Sequence, residues 1–311
     1  MGRRNEFGRN SGFRLQSTAS AVRGTVAPIM ATGESKVNSI TGSVIHPTDF
    51  SDLSFNAFAH ALKISLATKC KLYIVHVAER SKADEWEAFP RVRETLARWG
   101  LADAKAPTAV IFEKLGVEVV KVEITAEDPA GGLWHFFARH PSDLLVLATR
   151  GREGPPRWIR PSVAEAMSRR ARTETLFIPP RSAGFVDEKT GAIDLERIVF
   201  PVDHNPSAQA TLGAMHRFCH ALGVQPAIHA LHVGADAPAL SASADPADTI
   251  AVELRTGNVV DNILQAATEM KANLIVMPTA GHQGMLDALR GSTTERVLRQ
   301  APCPVLAIPV M

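Results

Sequence analysis

Phosphate binding is the chemistry for which this sequence has the best-placed residues, in the stretch from Asn273 to Thr293. A short apolar run, Asn273-Leu-Ile-Val-Met277, leads into Pro278-Thr-Ala-Gly281; after nine intervening residues come Gly291, Ser292 and Thr293. Glycine at 281 permits a positive φ and close approach of a ligand to the backbone. Gly291 would admit the ligand to the first turn of a following helix, whose free N–H groups and partial positive charge suit an anion. Ser292 adds a hydroxyl, and Glu295 three residues on completes a capping-box pattern. The structural alternative is an ordinary strand-to-helix loop with an N-cap serine.

Two aspartates form a second candidate set. Asp49 and Asp203 each stand two residues after a proline at the end of a short apolar run, in Pro47-Thr-Asp49 and Pro201-Val-Asp203. A carboxylate at the carboxyl edge of a parallel sheet lies where ligands bind, and it can hydrogen-bond an adenosine moiety. Asp is also a common helix N-cap, so each could merely terminate a turn.

Other chemistry is poorly represented. His216 and His220 stand four apart with Cys219 between them, a spacing able to hold zinc, but without the glutamate that a metalloprotease helix needs. Cys303, between prolines on an apolar run, reads as a structural thiol. Arg150, Arg152 and Arg157 surround the first-half counterpart of the glycine loop. They read as a solvated loop, with phosphates or an acidic partner as the alternative. No Ser-His-Asp order, carboxylate pair or Walker loop is present, so no metal site and no efficient catalysis are expected.

The elements that must position these residues alternate strand and helix, which implies a parallel sheet covered on both faces. Strands are expected over 43–46, 70–77, 117–124, 143–148 and 175–178, and again over 197–202, 227–233, 249–255, 273–277 and 303–309. Helices fall between them. The order repeats itself: Gly151 precedes Ser162 by eleven residues, as Gly281 precedes Ser292, and Glu165 and Glu295 each follow three later. Ser162 to Pro179 and Ser292 to Pro309 are both seventeen residues. Two copies of one domain account for this, residues 43–180 and 197–311, joined by a linker over 181–196. The first copy carries an insertion, 83–115, where Trp86, Phe89, Val92, Leu96 and Trp99 recur at helical spacing and are expected to pack on the sheet.

Composition narrows the class. The chain has 311 residues, a net charge of +2 and 45% hydrophobic residues. That balance is ordinary for a soluble globular protein and offers no strong field toward nucleic acid or membrane. Cys70, Cys219 and Cys303 are few, odd in number and widely spaced, which suits a reducing cytoplasm. No apolar run approaches the roughly 18 residues of a membrane span. Residues 1–42 are basic and rich in Ser, Gly and Asn, without the apolar core of a secretory signal, and read as a disordered tail; a transit peptide is the alternative.

The loop Gly281…Gly291-Ser292, the closing run Glu295-Arg-Val-Leu-Arg-Gln-Ala-Pro-Cys-Pro-Val-Leu-Ala-Ile, the strand-one aspartates and the strand-two ends His76-Val77 and His232-Val233 together resemble the universal stress protein family. The likeness spans about residues 43–180 and 197–310, as in a tandem, two-domain member. It implies two copies of a five-stranded, parallel α/β fold of the adenine-nucleotide α-hydrolase type. Some members bind ATP and others do not. The resemblance implies ATP or AMP at Asp203, Val233, Gly281, Gly291, Ser292 and Thr293, with weaker first-half counterparts at Asp49, Val77, Gly151, Ser162 and Val163. Magnesium would enter only with the nucleotide, and hydrolysis would be slow at most. The family's first loop glycine is replaced by Pro278, and Ala148 and Pro161 replace two glycines in the first half; proline removes an N–H and fixes φ. The resemblance also implies that the halves pair through their last strands, alone or in a homodimer. A non-nucleotide interaction module is the alternative function, and a nucleotide-hydrolysing or nucleotidyl-transferring enzyme a more remote one.

Overall fold

Short, fully buried apolar segments are the sheet-forming units of this chain. The computed structural model describes residues 13–17, 42–78, 85–126, 128–149, 173–180, 182, 184–241, 249–280 and 293–310. The strands are β1 Phe13–Ser17, β2 Ser43–Pro47, β3 Lys71–Ala78, β4 Val119–Thr125, β5 Leu144–Ala148, β6 Glu174–Ile178, β7 Arg197–Pro201, β8 Ala227–Val233, β9 Val252–Arg255, β10 Leu274–Ala280 and β11 Val305–Val310. They form one 11-stranded sheet in the order β1-β4-β3-β2-β5-β6-β11-β10-β7-β8-β9. The described helices are α1 Asp52–Thr68, α2 Glu85–Ala88, α3 Val92–Arg98, α4 Thr108–Leu115, α5 Pro129–Arg139, α6 Ala208–Leu222, α7 Val259–Glu269 and α8 Thr293–Leu298.

The order β4-β3-β2-β5-β6 recurs as β9-β8-β7-β10-β11, and every neighbouring pair within each set is parallel. The fold is therefore α/β with two tandem copies of a five-stranded unit. The copies meet where β6 runs antiparallel to β11, with Leu176 opposite Leu306. One sheet face carries α1, α3, α4 and α6 over a core that includes Phe58, Leu62, Phe200 and Phe218. The other carries α5, α7 and α8 over Phe136, Ile263 and Val297. Each buried Leu or Phe contributes about 1.5–3 kcal/mol relative to exposure.

Four details depart from the sequence expectation. Residues 13–17 are not part of a disordered tail: β1 pairs antiparallel with β4, Phe13 opposite Ile124 and Ser17 opposite Val120. An edge strand leaves a row of unpaired N–H and C=O groups, and β1 covers that row. Of the two helices expected in the insertion, over 83–100 and 107–115, the second is α4, but the first is divided, because Pro90 separates α2 from α3. Trp99 is buried, but against the linker: its indole N–H donates to the Glu188 carbonyl at 3.1 Å, and a side chain at Gly191 would strike its ring. The linker itself is docked, with Phe185 and Val186 1% exposed and Val186 bridged to Ile193.

Candidate functional site

The strand order reverses twice, between β2 and β5 and between β7 and β10, and ligands of open α/β sheets bind outside the carboxyl ends of strands at such points. In both places the ladder stops early. Only Leu274 and Ile275 of β10 pair with β7, at Ile198 and Val199; only Leu144 and Leu145 of β5 pair with β2, at Val44 and Ile45. Beyond those residues neither pair of strands is joined by the ladder, and the position of a crevice at a reversal of strand order is toward their carboxyl ends.

Pro278 lies in β10 and not in a loop, paired in register with Ile308 of β11. The Ile275 N–H points toward β11, donating to the Pro304 carbonyl at 2.9 Å. Alternation along the strand then turns position 278 toward the β7 side, where the ladder has already ended. Proline is accommodated there because no ladder bond is lost, and the crevice wall has no N–H at that position. Ala148, its first-half counterpart, likewise ends β5 opposite Ile178.

The two crevices are furnished differently. In the first, the buried His46 of β2 donates from Nδ1 to the Val146 carbonyl of β5 at 3.0 Å, joining the strands just past the end of their ladder. Burial holds the His46 pKa down to about 4, so the ring is neutral. Asp49 is absorbed by the start of α1. Its Oδ1 accepts from Ser51 Oγ and Ser54 Oγ, each at 2.6 Å, and from the Ser51 N–H at 3.1 Å. Ser51 in turn N-caps α1 by accepting from the Ser54 N–H. Phe50 stacks on His76 with ring centroids 4.0 Å apart, and Phe89 of the insertion meets Phe50 edge-on at 5.1 Å. An aromatic stack thus lies over the ends of β2 and β3, beside Asp49 and the half-buried Val77.

In the second crevice, Ser51 and Ser54 are replaced by Asn205 and Ala208, and Phe50 by His204. Asp203 keeps one short backbone contact, from the His204 N–H to Oδ1 at 2.7 Å, and its side chain is 65% exposed. Among the described residues nothing bonds its Oδ2. His232 donates from Nδ1 to the Val202 carbonyl at 2.9 Å, as His76 does to the Thr48 carbonyl at 2.9 Å. A carbonyl only accepts, so Nδ1 carries the proton and Nε2 is left as an acceptor. Gly234 makes room for that nitrogen, since a side chain there would collide with it. The His204 and His232 rings are 5.8 Å apart at 77°, further apart than the stacked pair of the first half. Val233, half-buried, ends β8.

Asp203 follows β7, Val233 ends β8, and Thr293 is the first residue of α8. Gly281, Gly291 and Ser292, with Gly151, Ser162 and Val163 of the first half and the arginines at 150, 152 and 157, lie outside the described residues. Glu295 bonds Arg299 at 2.6 Å. His216 is half-buried and His220 exposed. The Cys219 and Cys303 thiols are buried, and burial pushes them up to about 11 and 12, far from a reactive thiolate. Among the described residues no group of three or more His, Cys, Asp or Glu is placed to hold a metal, and no helix is long and apolar enough to cross a membrane. The site residues missed at sequence level are Phe50 and His46, whose only signal was an aromatic ring within three residues of Asp49; Phe89, read from the sequence only as a packing residue of the insertion, stands forty residues away from that aspartate.

The arrangement defines a class: a tandem, doubly wound α/β protein with a ligand crevice at each reversal of strand order. The universal stress protein family profile matches residues 42–179 and 235–309, more than half of the chain, and the chain belongs to that family. The second match begins after β8, so Asp203 and Val233 lie outside it. A universal stress protein of Methanocaldococcus jannaschii is 26% identical over 141 residues, covering 43% of this chain and 80% of that protein. One of Thermus aquaticus is 44% identical over 55 residues, 18% of this chain and 40% of its own length. The crystal structure of a universal stress protein from Archaeoglobus fulgidus covers 86% of this chain and 96% of its own, at 18% identity and a TM-score of 0.51, a likeness of fold.

Proposed function

We propose that this chain is a stress-response protein that binds an adenine nucleotide, ATP or AMP, in the β7/β10 crevice and does not turn it over efficiently. The observation that carries the reading is the contrast between the two strand-one aspartates. Asp49 is held by two hydroxyls and one N–H, while Asp203 stands exposed, with one backbone N–H bonded to it and the His232 Nδ1 4.0 Å away. In this reading Asp203 and the backbone at Val233 meet ribose and adenine, and Gly281, Gly291, Ser292 and Thr293 meet the phosphates. Magnesium arrives with the nucleotide. The functional units are 43–180 and 197–311, and the protein works in the cytoplasm. Labelled ATP and AMP titrated into the full chain should bind saturably, and Asp203→Asn should weaken binding by about tenfold, the loss of one charge-assisted hydrogen bond. Absence of saturable binding below millimolar nucleotide would sink the proposal.

The second reading, an interaction module without nucleotide, draws its support from the β6–β11 ladder. That ladder covers the inner edge of both halves, so each copy serves as the other's partner. Light scattering separates its forms: a monomer if this pairing suffices, a homodimer if further surface is used.

A further inference from the structure

The insertion that distinguishes the first half builds a cavity of about 230 Å³ between α3, α4 and β4. Its walls include Arg91, Arg93, Glu94, Thr108, Phe112 and Lys121. Three cations therefore face one carboxylate, and that carboxylate is engaged, with Glu94 Oε1 taking the Arg91 guanidinium at 3.1 Å. Lys121 is the unusual member. It projects from a central position of β4, half-buried, with Nζ 5.8 Å from the centroid of the buried Phe89 ring. Among the described residues it has no carboxylate and no hydrogen-bond partner. Desolvation first, and the Arg91 charge second, hold its ammonium below the ordinary lysine range. A half-buried cation beside a like charge is an unfavourable arrangement that a bound anion would relieve. Thr108 opens α4, which brings the positive end of an eight-residue helix to the same wall.

We propose that this cavity binds a small phosphate-type oxyanion, held by Lys121 with Arg91 and Arg93, which gives the insertion a ligand site of its own, separate from the β7/β10 crevice. Phe112, Val92 and Val119, all buried, supply the dry side that strengthens the charge contacts; the mouth, where Arg91 and Arg93 are exposed, admits the ligand. The shared chemistry is the phosphoryl dianion, whether free or as a monoester.

The test is calorimetric titration of the full chain at low salt with inorganic phosphate in one arm and glycerol 3-phosphate in the other. At least one should bind saturably to wild type and raise its melting temperature. Lys121→Met keeps the stem over Phe89 and removes the charge, and should weaken binding by about tenfold or more. Arg93→Gln, at an exposed position, should weaken it by a smaller factor while folding normally, and serves if Lys121→Met does not fold. Lys189→Ala, a surface cation elsewhere, should bind as wild type does. The tighter arm identifies the source of the phosphoryl group. No saturable binding in either arm overturns the proposal, as does equal binding by wild type, Lys121→Met and Arg93→Gln, or an equal loss in Lys189→Ala.

Discussion

Phe185 sits edge-on to His60, ring centroids 4.7 Å apart at 83°, and donates its backbone N–H to His60 Nε2 at 3.0 Å. The Val186 N–H donates to the same nitrogen at 3.2 Å, and Nδ1 donates to the Asn56 carbonyl at 2.9 Å. On its other side Phe185 meets Phe218 of α6, centroids 6.3 Å apart. One linker residue is thus wedged between α1 of the first copy and α6 of the second. His60→Ala would leave two buried N–H groups without an acceptor and open a cavity. Each such group costs about 1–3 kcal/mol, so a loss of roughly 2–6 kcal/mol in the unfolding free energy is expected from the denaturant midpoint. Proteolysis between 180 and 196 should become faster in the same variant. Unchanged stability and unchanged cleavage would show that the linker is held by something else.

The same histidine makes stability depend on pH. Burial holds both His46 and His60 down to about 4, against 6.5 when unfolded. A group that is less basic when folded binds its proton first in the unfolded chain. Each therefore contributes full stability above pH 6.5 and loses it as pH falls toward 4, by about 2 kcal/mol apiece at pH 5. Glu174 acts in the opposite direction. Desolvation, partly offset by Arg217 and reinforced by Asp143, raises its carboxyl to about 7, so it contributes below pH 4.5 and its contribution fades as pH rises through 7. Urea unfolding at pH 7 and pH 5 should show a net acid loss. Glu174→Gln should deepen that loss, because it removes a group that gains on acidification.

The strands and the repeat were legible because their signals are local. Buried five-residue runs such as Leu144–Ala148 need only β-forming apolar residues, and equal spacings such as Gly151–Ser162 and Gly281–Ser292 identify counterparts. The content of the crevices was not legible. Whether Asp49 caps or binds depends on hydroxyls two and five residues later, and Ser51 and Ser54 could equally have faced solvent. Phe89 reaches Phe50 only because the insertion folds back, a distance the chain order conceals. Pro278 read as damage to a loop, whereas its tolerance depends on how far β7 and β10 stay paired. The docked linker had no periodicity to read, since it is anchored at two separate points, His60 and Trp99.

The contrast between the aspartates predicts a separation of phenotypes. Asp49→Asn weakens the acceptor for Ser51 and Ser54 and should destabilise α1 and the fold by about 1–2 kcal/mol, as for loss of a helix cap. It should leave nucleotide affinity unchanged. Asp203→Asn, at an exposed position, should alter stability by no more than about 0.5 kcal/mol while it weakens nucleotide binding. Thermal melts and nucleotide titration of both variants decide this. The reverse pattern, with binding lost at 49 and stability lost at 203, would place the working crevice in the first half.

Leu176 and Leu306 are counterparts in the repeat and stand directly opposite one another in the β6–β11 ladder, both fully buried. Position-for-position self-pairing is what a local twofold axis requires, so the junction behaves as a homodimer interface contained in one chain. Leu306→Ala should cost about 2–5 kcal/mol, and Leu176→Ala a similar amount. The two side chains share the same sheet face and touch the same core, so the double variant should lose less than the sum, by about 0.5–1 kcal/mol. Denaturant unfolding of the wild type, both single variants and the double variant measures that coupling. Strict additivity would mean that the halves are joined by backbone pairing alone, with α1, α6 and the Phe185 wedge carrying the side-chain contacts.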